Sequence, residues 1–305
     1  MLDLLPGLDF SHSLLPEIRK QSEAQYALLG EPPLPPVIKT IAGPDGPLDV
    51  YWFDPGPGRS GRPALLHING GGMVIGSARS MPHSPSGLAS ALGMPVASVE
   101  YRLAPEAPFP APQEDCLAAL AWLSGQAEEL GVDAERIGII GESAGGGLAA
   151  GVAQMARDTG GPKLAAQVLI YPMLDHRTGS DACPYRNPTT GEFVWTRASN
   201  RFGWQALQGS YSADDARRGW FSPILAGDLA GLPSTWIGTG SLDLFFDENL
   251  AYARSLVSAG VSVEVHSYPG AVHGFNMIAS AQIAQAFQRD LLTAIPKLLA
   301  KGALS

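Results

Sequence analysis

Five residues, Gly141-Glu-Ser-Ala-Gly145, place a serine at the centre of a small-residue turn. A serine hydroxyl becomes a useful nucleophile only beside a base and beside hydrogen-bond donors that can hold a developing oxyanion. The turn follows an apolar run, Arg136–Ile140, and precedes a small-residue run compatible with a helix. A strand, a tight turn and a helix in that order would hold Ser143 exposed above a sheet edge, on strained backbone. Gly141 and Gly145 would leave room where side chains collide. The pentapeptide alone also fits an ordinary turn before a helix, so it needs partners elsewhere in the chain.

The base must come from six histidines. His273 lies in Tyr268-Pro-Gly-Ala-Val-His-Gly-Phe275, a loop following an alternating run that reads as a strand. His266 falls inside that run, His12 and His83 lie among turn residues, and His176 lies in an aromatic-rich segment. His67 precedes a glycine run on an apolar strand and is expected to face the sheet interior. The orienting acid is read as Asp243, just beyond the run Thr235–Gly238, because Asp247 and Glu248 are explained by helix capping and the helix dipole. The order Ser143, Asp243, His273 is that of α/β-hydrolase triads. Asn69-Gly-Gly-Gly72 follows another strand and offers bare backbone N–H groups, and the Ala144 N–H adjoins the nucleophile. No Gly-Lys-Ser/Thr follows the glycines, Gly238-Thr-Gly240 is an incomplete dinucleotide fingerprint, and no metal-ligand spacing is present. Neither metal nor cofactor is expected.

These residues need a scaffold that ends several strands at one place. Short apolar runs at 48–53, 63–68, 95–99, 136–140, 165–171, 235–238 and 261–267 alternate with helical spacing at 113–130, 144–158, 247–259 and 276–299. That pattern predicts a mostly parallel sheet covered on both faces, with ligands at the carboxyl ends of the strands. Two regions break the alternation: the first forty-odd residues and 176–222. Phe193, Trp195, Phe202 and Trp204 give the second a large apolar content for a loop, so both are read as a lid. The expected organisation is an N-terminal lid segment at 1–45, a catalytic domain at 46–175 and 223–305, and a lid insertion at 176–222.

The composition fits. Of 305 residues, 45% are apolar and 16% charged, and the net charge of −9 comes without a basic cluster. Disorder, nucleic acid and stable membrane anchoring are therefore not expected. The N-terminus lacks the pattern of a secretory signal, and Cys116 and Cys183 read as reduced thiols, which together suit the cytoplasm.

The chain from about residue 45 to 300 resembles the hormone-sensitive-lipase-like α/β-hydrolases, particularly their bacterial esterases. Gly141-Glu-Ser-Ala-Gly-Gly146 is similar to the family's nucleophile elbow. Tyr101-Arg-Leu-Ala-Pro-Glu106, Phe109-Pro110 and Asp115 match a further motif, and Asp243 and His273-Gly-Phe275 match the acid and histidine motifs. The resemblance implies an α/β-hydrolase fold with about eight strands and a helical lid, and oxyanion donors at Gly71, Gly72 and Ala144. Two departures stand out. The usual His-Gly-Gly-Gly, whose histidine is thought to brace the loop, is Asn69-Gly-Gly-Gly72. The usual Asp-Pro-Leu is Asp243-Leu-Phe-Phe.

The function so implied is a serine carboxylesterase acting through an acyl-enzyme on small-molecule esters with acyl chains of roughly two to eight carbons. Phe193, Trp195, Phe202, Trp204 and Leu244 are the candidate substrate-binding residues. Lactone, thioester or amide hydrolysis by the same triad is the alternative. A hydrolase-fold ligand receptor is the reading from another class, disfavoured because His273 is kept. A homodimer through the edge of the last strand is a further expectation.

Overall fold

The computed structural model describes residues 10–301. The segment examined for a secretory signal thus lies almost wholly outside the described residues. Eight strands form one sheet: β1 (Val37–Gly43), β2 (Gly46–Phe53), β3 (Arg62–Ile68), β4 (Val96–Val99), β5 (Val132–Glu142), β6 (Ala166–Ile170), β7 (Ser234–Gly240) and β8 (Val263–Tyr268). Their spatial order is β1-β2-β4-β3-β5-β6-β7-β8. The pairs β1/β2 and β2/β4 are antiparallel and the other five are parallel.

Parallel neighbours require crossovers, and helices supply them. These are α2 (His83–Leu92), α3 (Ala111–Gly125), α4 (Ala144–Asp158) and α7 (Phe246–Ser258), with α8 (Gln282–Leu298) closing the chain. Period-two alternation then divides the apolar residues between two cores. Ala64, Leu66 and Ile68 of β3 pack with Leu120 of α3, Leu148 of α4 and Leu256 of α7. Leu65, between them, faces Leu88 of α2 and Phe287 and Leu291 of α8. From β3 the chain steps out to β4 and returns on the other side as β5. The strand order therefore reverses between β3 and β5, and the crevice above their carboxyl ends is the natural ligand site of such a sheet.

Three helices lie outside this frame: α1 (Leu15–Ala27), α5 (Arg197–Gln208) and the short α6 (Arg218–Phe221). Helix α5 starts at Thr196, whose hydroxyl accepts the Ser199 N–H at 3.2 Å. Among the described residues no helix is long and apolar enough to cross a membrane.

The structure corrects the sequence reading in several places. Residues 37–43, assigned to the N-terminal lid segment, are the edge strand β1, paired with β2 from Val37↔Trp52 to Gly43↔Gly46. Helix α2 was not anticipated, because Ser84, Pro85, Ser86 and Gly87 are poor helix formers. Helix α3 ends at Gly125, five residues before the expected Leu130. Residues 276–281 are not helical in the α sense; a 3-10 turn at Phe275–Met277 precedes α8.

Candidate active site

Ser143 joins β5 to α4 at φ 57°, ψ −121°, a conformation rare for any residue with a side chain. The turn is possible only because its neighbours are small. A Cβ on Gly141 would lie 2.3 Å from the Gly145 carbonyl oxygen, and one on Gly145 would lie 2.0 Å from that of Ile68. The helix thus begins against β3 and lifts the serine above the sheet. Met173 N–H and Gly147 N–H both donate to the Ser143 carbonyl at 3.0 Å, which fixes the turn.

The loop after β8 brings His273 to this point, and the turn after β7 brings Asp243. His273 Nε2 is 2.8 Å from Ser143 Oγ, and His273 Nδ1 is 2.8 Å from Asp243 Oδ2. Asp243 Oδ1 accepts the Phe245 N–H at 2.9 Å. Asp243 is wholly buried, while Ser143 and His273 are each 7% exposed, so little of the group meets solvent. The imidazole packs against two aromatic rings, Tyr171 with ring centroids 4.8 Å away and Phe245 at 5.2 Å. Phe245 comes from the apolar turn that departs from the usual acid motif, so that departure packs the candidate base. The Tyr171 hydroxyl donates to Asn276 Oδ1 at 2.6 Å. Burial, then the charges of Glu142 and Asp243, push its phenol up.

The glycine loop after β3 lies beside the elbow. A Cβ on Gly70 would be 2.8 Å from the Glu142 carbonyl oxygen and 3.3 Å from Ser143 Cβ. Gly71 and Gly72 have φ of 124° and 61°, and the Gly71 carbonyl accepts the N–H groups of Val74 and Ile75. Asn69, standing where the family has histidine, donates from Nδ2 to the Gly70 carbonyl at 3.0 Å. The Tyr101 hydroxyl donates to the Asn69 carbonyl at 2.9 Å. Asn69 Oδ1 is buried without a partner.

Glu142, which the sequence left without a role, is the centre of a network beneath the elbow. Its carboxylate lies 3.0 Å from His67 Nε2 and accepts from Ser84 Oγ at 2.6 Å. His67 Nδ1 is 2.9 Å from Ser98 Oγ. The β3/β4 register sets His67 opposite Ser98, and the imidazole is buried as expected. Burial opposes ionisation of Glu142, but the charge of His67 and the hydrogen bonds from His67 and Ser84 outweigh it and hold the carboxyl below its ordinary value. Burial, then the negative charge of Glu142, raises the phenol of Tyr26 on α1. Helix α1 is anchored by Arg19, which donates to Val74 O at 2.8 Å, to Ala104 O at 3.0 Å and to both Glu106 oxygens at 2.8 Å.

The five candidate pocket residues separate. Trp195 is buried against Gly72, and Leu244 packs at Gly191 beside the acid turn. Phe202 stacks on Phe10 at 5.6 Å, and Phe10 in turn meets Trp195 at 5.4 Å. Phe193 is half-buried next to Trp195. Trp204 turns the other way, into a cluster with His176 and Phe221, with centroids at 6.2 and 5.3 Å. The sequence could not separate it from Trp195, since helical phase depends on where α5 begins. That cluster borders a surface cavity of about 610 Å³ lined by no triad residue.

A model of the alpha/beta hydrolase fold matches residues 65–277. The chain belongs to the hormone-sensitive-lipase-like α/β-hydrolases. This hydrolase is 38% identical to the carboxylesterase NlhH of Mycobacterium tuberculosis, over 76% of its own chain and 71% of the relative. It is 35% identical to an ethyl acetate hydrolase of Pseudomonas putida, over 87% and 84%. Among solved structures, a bacterial heroin esterase superposes with a TM-score of 0.89 at 38% identity, covering 98% of this hydrolase and 96% of that chain.

Proposed function

We propose that this α/β-hydrolase is a serine carboxylesterase acting on small-molecule esters. One observation carries the reading. Ser143, His273 and Asp243 form a continuous hydrogen-bonded line, with both links at 2.8 Å, at the carboxyl ends of β5, β8 and β7. Ser143 Oγ attacks the ester carbonyl carbon while His273 Nε2 takes its proton. Asp243 holds the imidazole tautomer through Nδ1 and offsets the charge it gains. The Gly71, Gly72 and Ala144 N–H groups receive the oxyanion. His273 returns the proton to the departing alcohol, and a water molecule repeats the sequence on the acyl-enzyme to release the acid.

The acyl group is short to medium, roughly two to eight carbons, a reading supported by the apolar side chains of the lid and of Leu244 near the candidate site. The ethyl acetate hydrolase among the relatives supports the short end of that range. An acyl-length series with chromogenic esters, run beside Ser143→Ala, tests the reading. Turnover of short esters that falls about 10⁴-fold or more in the variant is expected. Full activity in Ser143→Ala, or activity on long-chain triglyceride alone, would refute it.

Residence in the cytoplasm is supported by two free cysteines, Cys116 and Cys183, and cell fractionation tests it. The open edge of β8, where Val265 is exposed, supports a homodimer; a monomer mass in sedimentation would end that idea.

A further inference from the structure

The lid meets the oxyanion loop at a single glycine. A Cβ on Gly72 would fall 2.2 Å from Trp195 Cη2 and 2.6 Å from Cζ2, so the indole edge rests on the glycine backbone. Helix α5 closes in from the same side: a Cβ on Gly203 would be 2.8 Å from the Gly72 carbonyl oxygen. The indole is not free to move. Its Nε1–H donates to Asn200 Oδ1 at 3.1 Å, and Asn200 Nδ2 donates to the Thr178 carbonyl at 2.7 Å. The Thr178 hydroxyl donates to Glu248 on α7, and that carboxyl also accepts the Leu174 N–H at 2.6 Å. A line of hydrogen bonds therefore runs from α7, the helix that starts just beyond Asp243, through the lid to the indole.

The backbone before Trp195 is strained. Val194 has φ 61°, a region that a β-branched side chain occupies only when its surroundings enforce it. Within the glycine loop, by contrast, the side chain that replaces the family's histidine makes few contacts. Asn69 reaches only the Gly70 carbonyl at 3.0 Å and Tyr101 at 3.5 Å, and its Oδ1 is unpartnered.

We propose that Trp195 is a positioning residue for the oxyanion hole: the lid, through the Asn200-held indole, fixes the Gly72 N–H where the tetrahedral intermediate needs it. The inference rests on the esterase reading and adds to it. The lid then serves the chemical step and not only the choice of substrate. Preorganised donors are effective because they do not reorient during reaction, and an error of about 1 Å in such a group costs about 10²-fold.

A KM-against-kcat split tests this. Trp195→Ala should lower kcat about 10²-fold at every acyl length, with KM moving less than about threefold. Trp195→Phe, which returns an aromatic edge, should recover part of the loss. Asn200→Ala, which frees the indole without removing it, should fall between the two. An unchanged kcat in Trp195→Ala overturns the proposal, as does a loss confined to long acyl chains, which would make the indole a pocket wall. If circular dichroism shows Trp195→Ala unfolded, the other two variants decide by the same readout. Fluorophosphonate labelling of the unaltered protein tests the underlying reading separately, since an unlabelled Ser143 would sink the esterase assignment whatever Trp195 does.

Discussion

The turn at Ser143 and the segments proposed as a lid hold their groups still by different means. The elbow is built from backbone. Gly141, Gly145 and Gly147 each approach a carbonyl so closely that a methyl group would fall within 2.3 Å of it. The lid is built from side chains: Arg19 on three carbonyl or carboxylate partners, Asn200 between Trp195 and Thr178, and aromatic rings 5.4 to 5.6 Å apart at Phe10, Trp195 and Phe202. Backbone packing tolerates no substitution but fixes geometry to fractions of an ångström. Side-chain networks tolerate exchange one contact at a time, which suits the part of an enzyme that meets different substrates.

Substitutions on the two sides should therefore differ in kind. Asp243→Asn should lower kcat about 10⁴-fold with little change in melting temperature, because it disturbs the imidazole tautomer and leaves the packing intact. Gly145→Ala should instead cost stability, about 3–5 kcal/mol or loss of cooperative unfolding by calorimetry. A well-folded, active Gly145→Ala would show that the elbow can yield.

Beneath the elbow, Glu142→Gln should cost about 1–3 kcal/mol near neutral pH. The folded state holds this carboxyl below its ordinary value, so its contribution is present above the unfolded value and lost as pH falls through the folded one. The deficit should vanish in acid, which denaturant titrations at several pH values would show. On the lid side, Arg19→Ala should cost about 1–2 kcal/mol, since Glu106 is mostly exposed and only the two carbonyl bonds are sheltered. An effect of opposite sign is expected at Glu248, whose carboxyl is pushed well up by burial. Its stabilising contribution is present below the ordinary glutamate value and lost as pH rises through the raised one. Glu248→Gln should match the unaltered protein near about pH 4 and melt higher near about pH 8. A lower melting point at both would mean that the hydrogen bonds to Leu174 and Thr178 outweigh the charge.

The same contrast governs what could be read from sequence. Elements with a strong period and sharp ends were legible: α4 was read residue for residue, and α7 to within one position. That Ser143, Asp243 and His273 would meet was legible because each follows a strand in a fixed order. Edge strand β1 was not, because most of its residues are exposed and it follows Pro32-Pro33-Leu34-Pro35-Pro36, so no buried face marks it. Glu142 was opaque for another reason. Its partners, His67 and Ser84, and Ser98 behind His67, sit on three other elements and come together only through sheet register and the placing of α2. A histidine and a serine inside two apolar strands were the only hint. Trp195 and Trp204 looked equivalent, and only the placement of α5 divides them.

Phe10 comes from a chain position far from Trp195 and Phe202, yet its ring meets both, and Trp195 in turn rests on Gly72. Their substitutions will not add independently. A smaller ring at one position leaves a gap that a larger one at another can refill, so adaptation to a new ester should pass through paired changes. A directed-evolution library that varies these three sites together will reach active variants that one-at-a-time scanning cannot.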